Sequence, residues 1–351
     1  MSKSKSRNRG AVHQLLRKKN RKKIKRGIVF VLAMLALLYV VIGEIKFRDY
    51  NTTDVGKLTD TEYNGEIAIE LNYGEPEFSD AELKSATGNP YGFEKYSKLD
   101  SLGRCGAATA SICRYTMPDP DDERTSLYEV TPSGWQNIHF WQRCHLIGYQ
   151  LSGENANERN LITGCNRFNV SGMLPYENEI AQYIRENPDN HVLYRVEPVY
   201  NGKDLVARGV VMQAQSIEDE GSGLKFNVFI FNYEPGYIFD YSDGSVEDDP
   251  EHQTTVLLED TTAEYTGENI SCGEASVKGS TGEVRYIYYT DREAKTTTTA
   301  KNGAMFDGGP PRMPGTYYVR AIAAGDNWYP SGMSNIAKLK IVKKSFGLKK
   351  K

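Results

Sequence analysis

The chain has 351 residues, of which 39% are hydrophobic, so it is long enough for two compact domains with appendages. Its net charge of −3 conceals an asymmetry, because residues 1–26 contain twelve Lys or Arg and no acidic residue, and residues 343–351 contain five more Lys. Without those seventeen positive charges, the middle of the chain carries about −20. This balance excludes attraction of a polyanion by overall charge, so any site for one needs a local basic pocket or a metal ion.

The N-terminus predicts a membrane anchor. Residues 1–27 form a basic cytoplasmic segment, and the apolar run at residues 28–43 has a length between a signal-peptide core and a full membrane span. The positive flank orients the following chain outward and favours anionic lipid as its partner. We favour an uncleaved anchor because the basic segment is long. Cleavage at the small-residue pattern of Val41 and Gly43 would instead secrete the protein, and a buried core helix is the third interpretation.

Residues 44–63 are polar and predict a stalk, and residues 64–243 have the pattern of an α+β domain. The periodicity of residues 174–186 predicts a helix with Pro175 in its first turn. The Asn-Gly pair at residues 201–202 lies between alternating runs and predicts a tight hairpin. The other predicted elements are strands in residues 66–71, 105–113, 138–148, 160–164, 191–200, 205–217 and 224–232.

After an acidic linker at residues 244–254, residues 255–342 predict a second, all-β unit, and residues 343–351 form a basic tail. The segment at residues 315–323 (GTYYVRAIA) resembles the penultimate strand of immunoglobulin-like and fibronectin-like domains, in which a tyrosine often forms a corner. The resemblance implies a small β-sandwich.

The cysteines argue against a zinc site. The chain contains no CxxC pair and no HExxH motif. Cys144 and His145 are neighbours on a predicted strand, so their side chains point to opposite faces and do not form a nucleophile pair. We interpret Cys144 as structural, and export would permit a disulfide from it to Cys105 or Cys165.

The segment at residues 141–184 contains the side chains that could take part in a reaction. Arg143 and His145 lie two apart at the end of a predicted strand and so face the same side. Hydrolysis of a phosphodiester needs a base for water, a metal ion and a cation for the transition-state charge, which His145, Asn169 and Arg143 could supply in that order. Neutral oxygen ligands suit Mg²⁺ or Mn²⁺. The alternative is that the asparagines cap turns and His145 is a structural, half-buried histidine. The asparagines concentrated here are Asn155, Asn157, Asn160, Asn166, Asn169 and Asn178.

The same segment resembles the DNA/RNA non-specific endonuclease family, whose ββα-metal (His-Me finger) core carries an Asp-Arg-Gly-His motif. The similarity lies mainly in residues 160–184, with residues 96–108 and 191–240 as flanking strands, about half of the chain. Its specific elements are Arg-x-His, Asn-Leu-Ile-Thr-Gly, a further Asn and a helical Glu. The resemblance implies an antiparallel sheet that supports a ββα-metal nuclease core.

The resemblance also implies roles for individual residues. His145 would be the general base for water, Arg143 would contact phosphate, and Asn169 would be the sole protein ligand of Mg²⁺, with Mn²⁺ as a substitute. Asn160 matches an Asn that positions the site, and Glu177 matches the acid that holds metal-bound water.

Two positions depart from the family motif. Gln142 replaces its Asp and Cys144 replaces its Gly, so another group, which we expect to be a backbone carbonyl, must orient His145. Arg167 and Arg104 are weaker candidates for substrate binding and could equally be structural.

The resulting hypothesis is a metal-dependent endonuclease that cuts DNA, and RNA as a second substrate, outside the cytoplasm. Contacts to phosphate carry no sequence information, so cleavage would be non-specific. One alternative is a cell-surface binding protein that kept the fold and lost catalysis, which the departures at Gln142 and Cys144 favour. Another is an adhesin that binds through residues 255–342. The sequence indicates no protein partner.

Overall fold

The computed structural model describes residues 55–119, 121–298 and 308–343, all within one compact unit, Thr53–Lys351. The predicted basic segment (residues 1–27), the anchor (residues 28–43) and the tail after Lys343 lie outside the described residues. Within these described ranges, no helix is long and apolar enough to cross a bilayer.

The α+β part, predicted as residues 64–243, contains short helices and one long one. The α-helices are α1 (Val55–Leu58), α2 (Asp80–Ala86), α3 (Tyr149–Ser152) and α4 (Leu174–Glu186), and a π-helix covers Arg167–Met173. The strands are β1 (Ala68–Glu70), β2 (Phe93–Tyr96), β3 (Ala108–Ile112), β4 (Gln142–His145), β5 (Leu161–Gly164), β6 (Val192–Val199), β7 (Gly209–Ser216), β8 (Lys225–Phe231), β9 (Tyr237–Asp240) and β10 (Ser245–Asp248).

An antiparallel sheet with the strand order β1-β8-β7-β6-β3-β2 supports the α+β part. Its long strands β6, β7 and β8 form an antiparallel meander, with Val192 opposite Ser216 and Gly209 opposite Phe231. Nearly every residue of these three strands is buried, so both faces of the sheet are covered. The expectation of an α+β fold on an antiparallel sheet is confirmed.

A ββα unit packs on this sheet. Strands β4 and β5 form an antiparallel hairpin, and the chain then passes through the π-helix into α4. Helix α4 buries Ile180, Ala181 and Ile184, which share a core with Phe168 of the π-helix and with the central strands. Apolar residues spaced by one, three and four positions form one helix face, so this burial follows from the sequence period.

Two segments predicted to be open chain are ordered instead. The end of the predicted stalk forms α1, and its Leu58 is buried because α1 contacts β6. Within the predicted linker, Ser245–Asp248 is strand β10, which pairs with β9 after a turn at Gly244, where φ is +84°. The acidic composition of residues 244–254 did not indicate a strand, although Val246 packs against the core.

The C-terminal part contains only strands among its described residues, and it has a separate hydrophobic core. Strands β12-β17-β15-β14 form a sheet in that order, with β16 beside β15 and with β12 parallel to β17. Strands β11 and β13 pair separately. Their bounds are β11 (Thr255–Leu257), β12 (Thr261–Glu264), β13 (Ser276–Lys278), β14 (Val284–Tyr289), β15 (Gly315–Ala323), β16 (Gly332–Met333) and β17 (Ala337–Val342).

The cysteines form no disulfide, so the proposed bond from Cys144 to Cys105 or Cys165 is wrong in this structure. Burial raises the pKa of the Cys144 and Cys165 thiols, which lie in the shared core. Cys105 instead points its thiol at the carbonyl oxygens of Glu158 and Leu161, 3.4 and 3.3 Å away. The buried thiols therefore behave as small apolar side chains.

Candidate active site

The β4–β5 hairpin places the predicted site residues. In its register His145 pairs with Leu161, and Gln142 pairs with Gly164. Arg143 and His145 alternate with Cys144, whose side chain is fully buried while theirs are partly exposed. The period of two along a strand therefore separates a core face from a face with polar chemistry.

His145 is held by a backbone carbonyl, the type of partner that the sequence predicts. Its Nε2 lies 2.8 Å from the carbonyl oxygen of Asn155. A carbonyl oxygen can only accept a hydrogen bond, so Nε2 carries the proton and Nδ1 has the free lone pair. Burial lowers the pKa of the imidazole below its usual 6.5, and the positive charge of Arg124 lowers it further, against the Asn155 hydrogen bond. His145 is therefore neutral near pH 7 and can accept a proton at Nδ1.

Arg143 is fixed by the preceding loop. Its Nε donates to the carbonyl oxygen of Val130 at 2.6 Å, and its guanidinium stacks on the Trp135 ring at 4.1 Å from the ring centre. Stacking and one short hydrogen bond orient the planar group.

Gln142 connects the hairpin to the π-helix. Its Oε1 accepts a hydrogen bond from Asn169 Nδ2 at 2.9 Å, and its Nε2 donates to Asn166 Oδ1 at 2.8 Å. Since the Asn169 amide nitrogen is used in this way, Oδ1 is the atom that can ligate a cation. The residue that departs from the family motif thus sets the orientation of Asn169.

The donor set suits a hard and largely hydrated cation. Among the described residues, no group of three or more His, Cys, Asp or Glu could hold a metal ion. A single amide oxygen is a poor match for zinc, which takes nitrogen and sulfur ligands, but it suits Mg²⁺ or Mn²⁺ with most of their waters retained.

Asn160 extends the hairpin beyond His145. Its Oδ1 accepts from the Ile147 N–H at 2.9 Å, and its Nδ2 donates to the Ile147 carbonyl oxygen at 3.0 Å. The side chain is fully buried. These contacts hold the backbone that leaves His145.

Glu177 lies in the first turn of α4 with its carboxyl buried against Gly148. A Cβ atom at Gly148 would lie 2.4 Å from Glu177 Oε2, so any other residue there would displace the Glu177 carboxyl group. Burial raises the pKa of Glu177 to about 7, although hydrogen bonds from the Gly148 N–H and the Gln150 side chain lower it. Its role in holding metal-bound water stays a prediction.

The raised pKa of Glu177 predicts a pH-dependent stability. The folded protein binds this proton more tightly than the unfolded chain, whose pKa is near 4.5, so the stabilisation is complete below pH 4.5 and is lost as the pH rises to 7. The loss amounts to about 3 kcal/mol. Glu177→Gln mimics the protonated acid, so its unfolding free energy in urea without metal should gain about that amount relative to wild type across this window. Glu186→Gln, at an exposed site on the same helix, is the control, and parallel profiles for Glu177→Gln and wild type would contradict the prediction.

The two arginines predicted to bind substrate are held by protein groups. Arg104 pairs with Asp100 at 2.8 Å and donates to the carbonyl oxygens of Gly202 and Asp204. Arg167 donates to the carbonyl oxygen of Asp326 and to the Asn327 side chain in the C-terminal part. Both guanidinium groups thus already donate to protein oxygens, which favours a structural role for each.

Two residues near His145 carried no specific prediction. Side-chain patterns do not predict the role of a backbone carbonyl such as that of Asn155, although the Asn155 side chain belongs to the asparagine-rich segment. Arg124 is exposed, stacks on the Tyr149 ring at 4.4 Å and is close enough to shift the pKa of His145. Because Arg124 lies inside an acidic, turn-forming stretch, the sequence did not indicate that it is near the site.

Comparison with known proteins shows that this domain is similar to nucleases. Residues 84–218 match the model of the DNA/RNA non-specific endonuclease family, which confirms the family resemblance predicted from the sequence. A deoxyribonuclease of Streptococcus dysgalactiae subsp. equisimilis is 27% identical over 175 residues, 46% of this chain. The chain spans about half of that relative, since the match covers 52% of it.

Solved structures of nucleases are similar over about half of the chain. NucA from Streptococcus agalactiae, solved with a bound magnesium ion, is 25% identical, with coverage of 54% of this chain and 89% of NucA and a TM-score of 0.43. Sda1 nuclease, solved with a bound zinc ion, is 27% identical, with coverage of 45% and 82% and a TM-score of 0.41.

Proposed function

We propose that this protein is a metal-dependent endonuclease that hydrolyses phosphodiester bonds of DNA and RNA outside the cytoplasm, without sequence specificity. The observation that carries the proposal is the contact between His145 Nε2 and the Asn155 carbonyl, which leaves Nδ1 as a base within a domain of this endonuclease family. Asn169, held by Gln142, adds a cation ligand on the same ββα unit.

His145 performs the proton transfer. Neutral Nδ1 takes a proton from the water that attacks phosphorus, and the Asn155 carbonyl stabilises the imidazolium that results. The lowered pKa keeps the base unprotonated at neutral pH. Because water attacks and the 3′-oxygen departs, the product carries a 5′-phosphate.

Asn169 Oδ1 would hold Mg²⁺ or Mn²⁺, which supplies Lewis-acid stabilisation of the phosphate and the leaving oxygen. The chain's contribution is orientation, since Gln142 fixes the amide. Glu177 at the start of α4 would hold water bound to this cation, and Asn160 positions the backbone that leaves His145.

Arg143 and the exposed Arg124 supply positive charge beside His145 in a chain whose middle is acidic. Both are proposed to contact phosphate oxygens, and Arg143 also stabilises the charge of the transition state. Phosphate contacts do not read bases, which explains a lack of sequence specificity.

The proposed architecture keeps the predicted anchor at residues 28–43 and an extracellular enzyme domain. Residues 255–342 are proposed to be an immunoglobulin- or fibronectin-like sandwich. Tyr317 supports this assignment, since its hydroxyl donates to the Met313 carbonyl oxygen at 3.0 Å, as in a tyrosine corner. Anchoring would keep the nuclease at the cell surface.

The proposal is tested by incubating the purified full-length chain with plasmid DNA or with RNA, in Mg²⁺, in Mn²⁺ and in EDTA. We expect degradation with either metal and intact nucleic acid in EDTA. If DNA and RNA stay intact with several divalent metals, the catalytic proposal fails. DNA binding without cleavage would then favour the surface-binding alternative.

A further inference from the structure

A loop of the C-terminal part, residues 325–331 between β15 and β16, lies against the endonuclease domain. We call it the latch loop. Its Asp326 carboxylate accepts hydrogen bonds from the backbone N–H groups of Thr281, Trp328 and Tyr329, at 2.8 to 2.9 Å. Three donors on one carboxylate stabilise the conformation of the loop.

The latch loop docks through Arg167, which is the first residue of the π-helix. Arg167 Nη1 donates to the Asp326 carbonyl oxygen at 3.2 Å, and Nη2 donates to Asn327 Oδ1 at 2.9 Å and to the Tyr63 hydroxyl at 3.1 Å. The Tyr63 hydroxyl in turn donates to the Asn327 carbonyl oxygen at 2.8 Å. Arg167, Tyr63 and Asn327 thus form a closed network in which each residue is hydrogen-bonded to the other two.

Apolar packing reinforces this contact. The Trp328 ring lies edge-on to Tyr63, 5.2 Å between ring centres, and a Cβ at Gly65 would meet its indole nitrogen at 3.0 Å. A Cβ at Gly236 would meet Pro330 at 2.7 Å. Two glycines therefore permit close approach of the latch loop to the endonuclease domain.

The docked residue and the proposed metal ligand share one helical turn. Arg167 and Asn169 both lie in the π-helix Arg167–Met173, and the Arg167 backbone N–H donates to Glu234 at 2.9 Å. A seven-residue π-helix is a poorly favoured conformation, so it depends on contacts from outside itself. Gln142 supports one end of the segment through Asn166, and the latch loop supports it through Arg167.

We propose that the C-terminal β part is a structural component of the metal site, with Arg167 as the positioning residue. Docking of the latch loop on Arg167 holds the π-helix in the conformation that presents Asn169 to the cation. This inference rests on the proposed function. It replaces a substrate-binding role for Arg167, because two of its three guanidinium nitrogens already donate to protein oxygens.

The test measures metal binding directly on the full-length chain. Mn²⁺ is titrated and the free ion is followed by electron paramagnetic resonance, for wild type, Arg167→Ala, Asn327→Ala and the double variant. We expect Arg167→Ala to raise the Mn²⁺ Kd about tenfold or more, as for residues that orient a metal ligand. Asn327→Ala should raise the Kd less, and the double variant should match Arg167→Ala because the two residues act through one contact.

Arg195→Ala is the matched control. Arg195 is also partly buried and makes a comparable set of contacts, to Glu82 and to the Glu77 carbonyl oxygen, each at 2.8 Å, and it stacks on Phe78. Its partners lie outside the metal-ligating segment, so its removal should lower the melting temperature and leave the Mn²⁺ Kd unchanged.

The kinetic measurements separate positioning from substrate binding. For Arg167→Ala we expect cleavage to need more Mn²⁺, with kcat at saturating Mn²⁺ and KM for DNA close to wild type. An unchanged Mn²⁺ Kd in both Arg167→Ala and Asn327→Ala would overturn the proposal, and a raised KM for DNA with normal Mn²⁺ binding would return Arg167 to substrate binding. If Arg167→Ala does not fold, the Mn²⁺ Kd of Asn327→Ala, a substitution at an exposed residue, still tests the proposal. Wild-type protein that neither binds Mn²⁺ nor cleaves DNA would instead refute the proposed function.

Discussion

Replacement of His145 by alanine is expected to lower kcat for DNA cleavage about 10³-fold, with DNA affinity nearly unchanged. The variant loses the Nδ1 base, while Arg143 and Asn169 keep their contacts on the same ββα unit. Because the His145 pKa is lowered by burial and by Arg124, the acid limb of the wild-type pH–rate profile should lie below pH 6.5. Cleavage of a fluorescent duplex under single-turnover conditions measures both effects.

His139→Ala is the matched control for His145→Ala. His139 lies in the same segment but is exposed, so its loss should leave kcat within about twofold of wild type. Arg124→Gln should move the acid limb to higher pH, because a positive charge near the imidazole is removed. Retention of wild-type kcat by His145→Ala would assign the base to another group and contradict the proposed mechanism.

Replacement of Asn169 by alanine is expected to lower kcat/KM about 10³-fold at a fixed Mg²⁺ concentration and to abolish measurable Mn²⁺ binding. The amide oxygen is the only ligand atom that we assign to the chain, so no other group can retain the cation at this point. Gln142→Ala should have a smaller effect, about 10-fold to 100-fold, because it removes the group that orients the amide.

Asn157→Ala controls for the loss of an asparagine in this region. Its side chain accepts only a local hydrogen bond from the Arg159 N–H, at 3.0 Å, so metal binding should be unchanged. Equal effects of Asn157→Ala and Asn169→Ala on Mn²⁺ affinity would point to general destabilisation and against a ligand role for Asn169.

The secondary structure of the α+β part was largely predictable. The helix predicted at residues 174–186 is α4, and the long strands β6, β7 and β8 lie within the predicted runs. Apolar periods of 3.6 and 2 report which faces are buried, and this information is local. The segment Ser245–Asp248 was missed because charge dominates its composition, whereas its strand depends on pairing with β9.

The disulfide hypothesis failed for a different reason. Composition and predicted export permit a bond between any two cysteines, but a bond needs thiols that meet in space. Cys105 turns its thiol to backbone carbonyls, and Cys144 and Cys165 fill the core as thiols. Such geometry is not encoded in spacing along the chain.

The sequence by itself determined the family resemblance, the α+β pattern and the identity of the residues proposed for catalysis, since side-chain chemistry and short-range periodicity can be inferred locally. Only the tertiary structure decided what those residues touch. It placed the Asn155 carbonyl on His145, turned Gln142 toward Asn169 and joined Arg167 to the latch loop, about 160 positions further along the chain. The physical reason is that hydrogen bonds and burial depend on contacts between segments distant in sequence, and these form only when the chain packs.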